Sequence, residues 1–179
     1  MEKNLIQGKT VILRGLREAD AAFFARWYNE PQTMFQCGFH ERTTVEDERE
    51  RILAPEADDR EWYAITDMSG RLLGETGLLR IWPHWRCTDM SVIIPDPDDQ
   101  GKGYGSEAGR LILERAFQHH GMNRVAVGVV AQNTGALRFW ERLGFVKEGI
   151  QEQGYYHEGA FSDFVMMRVL RGEWLRAKK

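Results

Sequence analysis

The chain has 179 residues, of which 42% are hydrophobic and 11% aromatic, so it is long and apolar enough to form one globular domain and is not a disordered protein. Its formal net charge of −3 and pI near 6.0 exclude the basic surface typical of nucleic-acid-binding proteins. No apolar run approaches the roughly 18 residues of a membrane span. The opening MEKNLIQGKTVILRG lacks a secretory pattern, so we expect a cytoplasmic protein with no nucleic-acid or membrane partner.

Cysteine and histidine usage argues against a disulfide framework and against a metal site. Cys37 and Cys87 form no C-x-x-C motif, which predicts two reduced thiols. The five histidines are scattered, and the adjacent pair His119 and His120 point in different directions on a helix. We therefore expect no metal cofactor.

The first half of the chain predicts strands around helices. Residues 9–16 alternate as a strand does. A helix is expected to start at Asp20 as N-cap and to stop at Pro31, and a shorter charged helix is expected around 44–53. Residues 61–82 then predict two strands joined at Ser69-Gly70.

The second half predicts alternating strands and helices and then a hairpin. CTDMSVII is a strand, a helix follows over about 106–120 and ends at Gly121, and NRVAVGVVAQ is a buried strand. Asn133 is expected to cap a helix that Gly144 ends. The tail predicts two long strands with a loop near 154–160, and this order gives one mixed sheet covered by helices.

The segment DDQGKGYGSEAGRLILERAF places three glycines, Gly101, Gly103 and Gly105, just before a helix. Glycine permits positive φ, so successive N–H groups can point at one anion, and the helix beginning near Ser106 adds its own free N–H groups. Lys102 can add a positive charge. The loop therefore predicts a phosphate or pyrophosphate site.

Two nucleotide-binding motifs do not fit this loop. Gly103 to Ala108 matches G-x-G-x-x-A, but a long polar connection precedes it where a dinucleotide fold needs a tight turn. The next strand also ends without an acidic residue for a ribose hydroxyl. A Walker A motif fails because Gly103 follows Lys102 where Ser or Thr is needed.

The loop instead resembles the pyrophosphate-binding signature of the GNAT superfamily of acetyl-CoA-dependent N-acetyltransferases, Gln100-x-x-Gly103-x-Gly105. Downstream, NTGALRFWERLGF resembles the second element of that family. IWPHWRCTDMSVIIPDPDDQGKGYGSEAGRLIL and VLRGEW are most similar to the RimJ/RimL-type branch. The resemblance covers about residues 8–174, which we take as a single domain. It implies a three-layer α+β fold with a mixed, largely antiparallel sheet of about seven strands and helices on both faces.

The resemblance also implies the residues that bind acetyl-CoA. The strand before the loop should pair with the pantetheine arm, as an added strand would. The loop should hold the pyrophosphate, and the helix after Asn133 should flank the other side. The predicted set is Val92, Ile93, Ile94, Gln100, Gly101, Lys102, Gly103, Tyr104, Gly105, Ser106, Asn133, Ala136, Phe139 and Trp140.

The acid and base often used in the family have no counterpart here. Trp140 stands where many relatives have a tyrosine acid, and Gly128 stands where some have a glutamate base. An indole N–H is no useful proton donor at neutral pH. We therefore expect direct attack by the amine with Glu75 or Asp89 as base through a water, although solvent water alone can suffice.

The acceptor is expected to be an amine, either a peptide N-terminus or a small molecule such as a polyamine. Aromatic residues including Phe35, Trp85 and Tyr155 are expected to wall its site, although a homodimer interface would use the same residue types. Because both usual catalytic residues are missing, a non-catalytic acyl-CoA-binding or sensing module is the alternative.

Overall fold

The computed structural model describes residues 5–55 and 57–177. Eight strands form one sheet, and six helices cover it. The strands are β1 Ile6–Gln7, β2 Val11–Arg14, β3 Glu61–Asp67, β4 Leu72–Trp82, β5 Cys87–Ile93, β6 Arg124–Val130, β7 Val146–His157 and β8 Ala160–Leu170. The helices are α1 Ala21–Tyr28, α2 Pro31–Cys37, α3 Val45–Leu53, α4 Tyr104–Glu114, α5 Thr134–Arg142 and α6 Arg171–Ala177.

The strand order is β1-β2-β3-β4-β5-β6-β8-β7, and every neighbouring pair is antiparallel except β5 with β6. This confirms the predicted mixed, largely antiparallel sheet with helices on both faces. The sheet has eight strands where about seven were expected. The additional strand is β1, whose two residues pair with Leu13 and Ile12 of β2 and are too few to show a periodic pattern.

The predicted bounds of the first helix are confirmed, because Asp20 holds the N-cap position of α1 and the helix ends at Tyr28, before Pro31. Two details differ from prediction. Pro31 is also the first residue of α2, a position where its fixed φ and missing N–H cost nothing. Asp20 makes no side-chain capping bond to α1. Its carboxylate instead forms a two-bond ion pair with Arg14 at 2.8 Å and accepts a hydrogen bond from the backbone N–H of Arg17.

The C-terminal third also differs from prediction in detail. The expected loop near 154–160 is a two-residue turn, because β7 continues to His157 and Glu158 and Gly159 adopt φ of 46° and 84°. The unpredicted helix α6 follows β8, and its Trp174 packs on Phe117 with ring centroids 5.3 Å apart. None of the helices in the described ranges has both the length and the apolarity needed to cross a bilayer.

The two faces of the sheet have different roles. Residues paired across neighbouring strands share a face, so Leu78 and Met90 lie together on the face that α4 covers, within the main hydrophobic core. Glu75 and Asp89 lie on the opposite face, where Tyr28 of α1 and Arg51 of α3 contact the Glu75 carboxylate. The α1–α3 face is therefore the more polar one.

The parallel strands β5 and β6 separate part-way along their length. Their register pairs are confined to Cys87–Asp89 with Arg124–Ala126, yet β5 runs on to Ile93 and β6 to Val130. Beyond these pairs β5 bonds to β4 and β6 bonds to β8, so the two edges that face each other across the gap are open. This opening is where the sheet can take up an extended ligand.

Candidate active site

A cavity of about 1120 Å³ lies at the separation of β5 and β6. One end reaches the glycine loop and the start of α4, and the other reaches α2 and β7; we call these the donor end and the acceptor end. Most predicted donor-site residues line it: Val92, Ile93, Ile94, Gln100, Gly101, Gly103, Tyr104, Gly105, Ser106, Asn133, Ala136, Phe139 and Trp140. Asp89, Phe35 and Tyr155 line it as well, whereas Lys102, Glu75 and Trp85 lie outside its described lining.

The glycine loop has the geometry of an anion cradle. Gly101 and Gly103 have φ of 73° and 89°, and residues that carry a side chain rarely adopt such backbone angles. A Cβ on Gly105 would lie 3.3 Å from Phe139 Cε2, a contact so tight that the Phe139 ring would have to shift by a few tenths of an ångström. The N–H groups of the first turn of α4, which begins directly after Gly103, have no partner within the helix. A pyrophosphate fits this set of donors.

Three polar contacts hold the glycine loop in place. Arg71 donates two hydrogen bonds, of 2.6 and 2.8 Å, to the Asp99 carboxylate, and these bonds hold the pKa of Asp99 below its usual range. Lys102 Nζ lies 3.6 Å from the same carboxylate, so its charge is directed at Asp99. Gln100 Nε2 donates to the carbonyl of Ile94 at 2.9 Å and ties the loop to the end of β5. The Gln100 side-chain amide therefore bonds to the protein backbone.

Helix α5 forms the opposite wall of the donor end. Asn133 Oδ1 accepts a hydrogen bond from the N–H of Ala136 at 3.0 Å, which is the predicted cap. The two aromatic residues of α5 have different surroundings. Trp140 is buried and packs on Phe145 at 5.0 Å between ring centroids, while Phe139 reaches Gly105. Phe139 is therefore the aromatic residue at the loop, and Trp140 is mainly a core residue.

The acceptor end is built from α2 and the end of β7. The ring of Phe35 lies 5.8 Å from that of Tyr155, and the Tyr155 hydroxyl donates to the Phe35 carbonyl at 2.7 Å. Further lining residues on this side are Gln32, Gln36, Cys37 and His40. Trp85 takes no part in this wall. It sits in the turn between β4 and β5, 75% exposed, against Trp82, because the β4–β5 hairpin carries its tip away from the cavity.

Glu75 is buried beside the cavity in a hydrogen-bonded network. The Tyr28 hydroxyl donates to one carboxylate oxygen, and Arg51 Nη2 donates to the other at 3.1 Å. Burial raises the pKa of Glu75, and the Arg51 charge and the Tyr28 hydrogen bond oppose that rise. Burial, with the neighbouring Glu75 charge, also raises the pKa of the Cys37 thiol to about 12. Any proton exchange between Glu75 and the cavity must therefore pass these partners.

Asp89 lines the cavity and forms an ion pair with Arg80. Arg80 Nε donates to its carboxylate at 2.5 Å, and the Arg80 side chain is 59% exposed. Asp89 stands at the last register pair between β5 and β6, where the opening begins. Its position suits contact with a reacting amine, while its charge is already neutralised.

The position of the absent glutamate is filled by a neighbouring ring. A Cβ on Gly128 would lie 2.0 Å from Phe164 Cε1, and both residues line the cavity. The Phe164 ring in turn stacks on Tyr155 with centroids 6.1 Å apart. The Phe164 ring therefore occupies the space where the resemblance to the family would place a glutamate base.

Sequence reasoning missed the polar residues of α2, together with Arg80 and Phe164. The signal for α2 was Pro31, which marks a helix start as readily as a stop. Neither Arg80 nor Phe164 carries a motif. Within residues 5–55 and 57–177 there is no group of three or more potential metal-ligating side chains.

Comparison with known proteins identifies the family. Residues 10–146 match the family described as Acetyltransferase (GNAT) domain. The chain belongs to this family. It is an acetyl-CoA-dependent acetyltransferase, with acetyl-CoA as co-substrate.

Individual relatives agree with this assignment over nearly the whole chain. Probable N-acetyltransferase YjcK of Bacillus subtilis is 30% identical, with 93% of this chain and 97% of the relative covered. Spermidine N(1)-acetyltransferase of Vibrio cholerae is 25% identical over 91% and 94% of the two chains. The crystal structure of spermidine N-acetyltransferase from Vibrio cholerae, in complex with CoA and spermine, has the same fold, with a TM-score of 0.81, 24% identity, and 92% and 98% coverage.

Proposed function

We propose that this GNAT acetyltransferase transfers the acetyl group of acetyl-CoA directly to a primary amine, either a protein N-terminal α-amine or a small amine. The observation that carries the proposal is one continuous cavity that joins an anion cradle, an open strand edge and an aromatic pocket. Its volume suits two substrates held end to end. The relationship to a spermidine acetyltransferase and the RimJ/RimL-like sequence of residues 81–113 support an amine acceptor.

We assign CoA to the donor end. The N–H groups of Gly101 to Ser106 would bind the pyrophosphate, as glycine loops at helix N-termini do. The open edge of β5 at Val92 and Ile93 would bond to the amide groups of the pantetheine arm in the manner of an added strand. Phe139 would pack against the arm from α5.

The reaction places the thioester at the opening between β5 and β6, next to Asp89 and the acceptor end. The amine lone pair attacks the carbonyl carbon, the C–S bond breaks, and the sulfur leaves with its electron pair as thiolate. One proton leaves the nitrogen, and one is delivered to the thiolate. We propose that Glu75 or Asp89 receives the proton through a water. Phe35 and Tyr155 would pack against the acceptor.

A pair of glycine variants tests the donor assignment. Gly105→Val introduces a side chain where even a Cβ would contact Phe139 at 3.3 Å, so we expect CoA to bind about 10- to 100-fold more weakly in calorimetry. Gly149→Val on β7 is the matched control, because no atom lies within 4 Å of its added Cβ. Unchanged CoA affinity in Gly105→Val would contradict the assignment.

Transfer itself is tested by release of free thiol from acetyl-CoA. We expect thiol release to depend on added amine when peptides with varied N-termini and small amines are supplied. If CoA binds normally but no amine in a chemically broad panel releases thiol, the chain is an acyl-CoA-binding module and the proposed transfer is wrong.

A further inference from the structure

The charges that line the cavity are largely neutralised by fixed partners. The lining carboxylates are Asp89 and Asp99. Arg80 donates to Asp89 at 2.5 Å, and Arg71 donates two hydrogen bonds to Asp99. The basic residues of the lining are Arg80, Arg142 and His40. A ligand at the acceptor end therefore meets a guanidinium group and a carboxylate that already has a partner.

The backbone is distorted where Arg80 joins this arrangement. Leu79 is the register partner of Asp89, so the two share a sheet face, and the next residue of a regular strand would point to the opposite face. The β4–β5 register is irregular between Leu79 and Trp82, and Arg80 has a φ of 49°, which is strained for a residue with a side chain. This irregularity brings the Arg80 side chain to Asp89 and to the cavity.

Strain of this kind persists only where the surrounding structure maintains it, and it concentrates at functional sites. The pair is also half-exposed, with side-chain exposures of 59% and 26%, so it contributes little to folding stability. A strained backbone that maintains a weak ion pair at the cavity wall suggests a role in ligand selection.

We propose that Arg80 is a specificity-determining residue, which makes the acceptor end select amines whose only positive charge is the reacting nitrogen and disfavour polyamines. The inference rests on the proposed amine acetylation. A second ammonium group beside Asp89 would lie next to the Arg80 guanidinium and would find no free carboxylate. Repulsion between these two positive charges would weaken binding. An uncharged or anionic group at the same place meets no such repulsion.

Matched acceptors that differ only in the distal group test this selection. The first set is 1,5-diaminopentane, 5-amino-1-pentanol and 5-aminopentanoate, and the second is tripeptides with a lysine, glutamine or glutamate at the second position. For each scaffold that turns over, kcat/KM from thiol release is expected to be about tenfold higher for the uncharged member than for the dication, and at least as high for the anionic member.

The Arg80→Gln variant tests the residue. It leaves the Asp89 carboxylate unpaired, so kcat/KM for the dication relative to the uncharged acceptor should rise about tenfold, and less at high salt because half-exposed charges are screened. Arg60→Gln is the matched control, since Arg60 forms a similarly exposed pair with Asp59 at 3.5 Å outside the cavity lining. A purely structural role for Arg80 would change both acceptors equally and would not depend on salt.

The outcomes separate this inference from the proposed function. Preference of the unaltered enzyme for the dication, or an unchanged ratio in Arg80→Gln, overturns the inference while acetyl transfer stands. Absence of thiol release with both scaffolds and with the broader amine panel, with CoA bound normally, overturns the proposed function and this inference with it.

Discussion

Replacing Gly128 with alanine should destabilise the protein, because the added Cβ would overlap the ring of Phe164. The new Cβ would lie 2.0 Å from Cε1 and 2.7 Å from Cδ1 of Phe164, where ordinary contact begins near 3.4 Å, so the ring must move by about 1.4 Å. Overpacking of this kind costs about 1–3 kcal/mol. Gly128 does not have a positive φ, so alanine can adopt its backbone conformation. Alanine also lowers the conformational entropy of the unfolded chain, which stabilises the folded protein by about 0.5–1 kcal/mol.

The net loss is therefore between about 0 and 2.5 kcal/mol, and its midpoint of about 1 kcal/mol corresponds to a fall in Tm of about 2–4 °C for a chain of this size. Because Phe164 stacks on Tyr155, displacement of the ring should also disturb the acceptor end and reduce kcat/KM. Urea unfolding gives the free-energy change, and thiol release gives the activity.

The decisive measurement is a double-mutant cycle with Phe164→Ala. Once the ring is gone, only the benefit to the unfolded state remains, so Gly128→Ala should stabilise the Phe164→Ala background by about 0.5–1 kcal/mol. The sign of the effect should reverse between the two backgrounds. The reasoning fails if Gly128→Ala is as costly without the ring as with it, or if it stabilises the unaltered protein.

Three further predictions concern titratable groups and the loop. Burial would raise the pKa of Glu61, but hydrogen bonds from three neighbours hold it well below its ordinary value, so the stability it contributes is present above about pH 4 and lost as pH falls further. Glu61→Gln should therefore cost about 2 kcal/mol at pH 7, and its Tm difference from the unaltered protein should shrink toward pH 3; a constant difference would contradict this. With a thiol pKa of about 12, Cys37 should alkylate far more slowly at pH 7.5 in folded than in denatured protein, measured by mass spectrometry of a Cys87→Ser background. Arg71→Gln removes two hydrogen bonds to Asp99 and should weaken CoA binding severalfold in calorimetry while changing Tm little, and unchanged affinity would show that the loop needs no such support.

The donor end was predictable because its parts are contiguous in sequence. Gly101, Gly103 and Gly105 and the start of α4 fall within a few residues, and their chemistry follows from backbone geometry alone. The sheet was predictable for a similar reason, since alternation along each strand reports its buried face. Strand β1 was missed because two residues give no period.

The acceptor end was predicted only in part. Phe35 and Tyr155 were expected in its wall and line the cavity, but their mutual contacts and their neighbours come from distant segments that tertiary structure brings together. Tyr155 donates to Phe35 across 120 positions, and Phe164 fills the space above Gly128. The irregularity at Arg80 occurs in LLRIW, which contains no glycine to signal a positive φ. Trp85 was wrongly placed in the wall because residue type alone does not show that a hairpin tip points into solvent.

Glu75 is one of the two residues proposed as the base. Variants of Glu75 and its partners should show whether it accepts a proton or only stabilises the fold. If Glu75 accepts the amine proton, Glu75→Gln should lower kcat/KM by about 10²- to 10⁴-fold and remove the Glu75 titration from the pH profile, leaving only the ionisation of the amine itself. Tyr28→Phe removes a hydrogen bond that stabilises the carboxylate, so the pKa of Glu75 should rise and its titration should move to higher pH. Glu48→Gln is the control, because Glu48 is equally buried and pairs with the same Arg51 at 2.7 Å. Equal kcat/KM for Glu75→Gln and the unaltered enzyme at every pH would leave Glu75 as a buried partner of Arg51 and direct the search for the base to Asp89 or solvent.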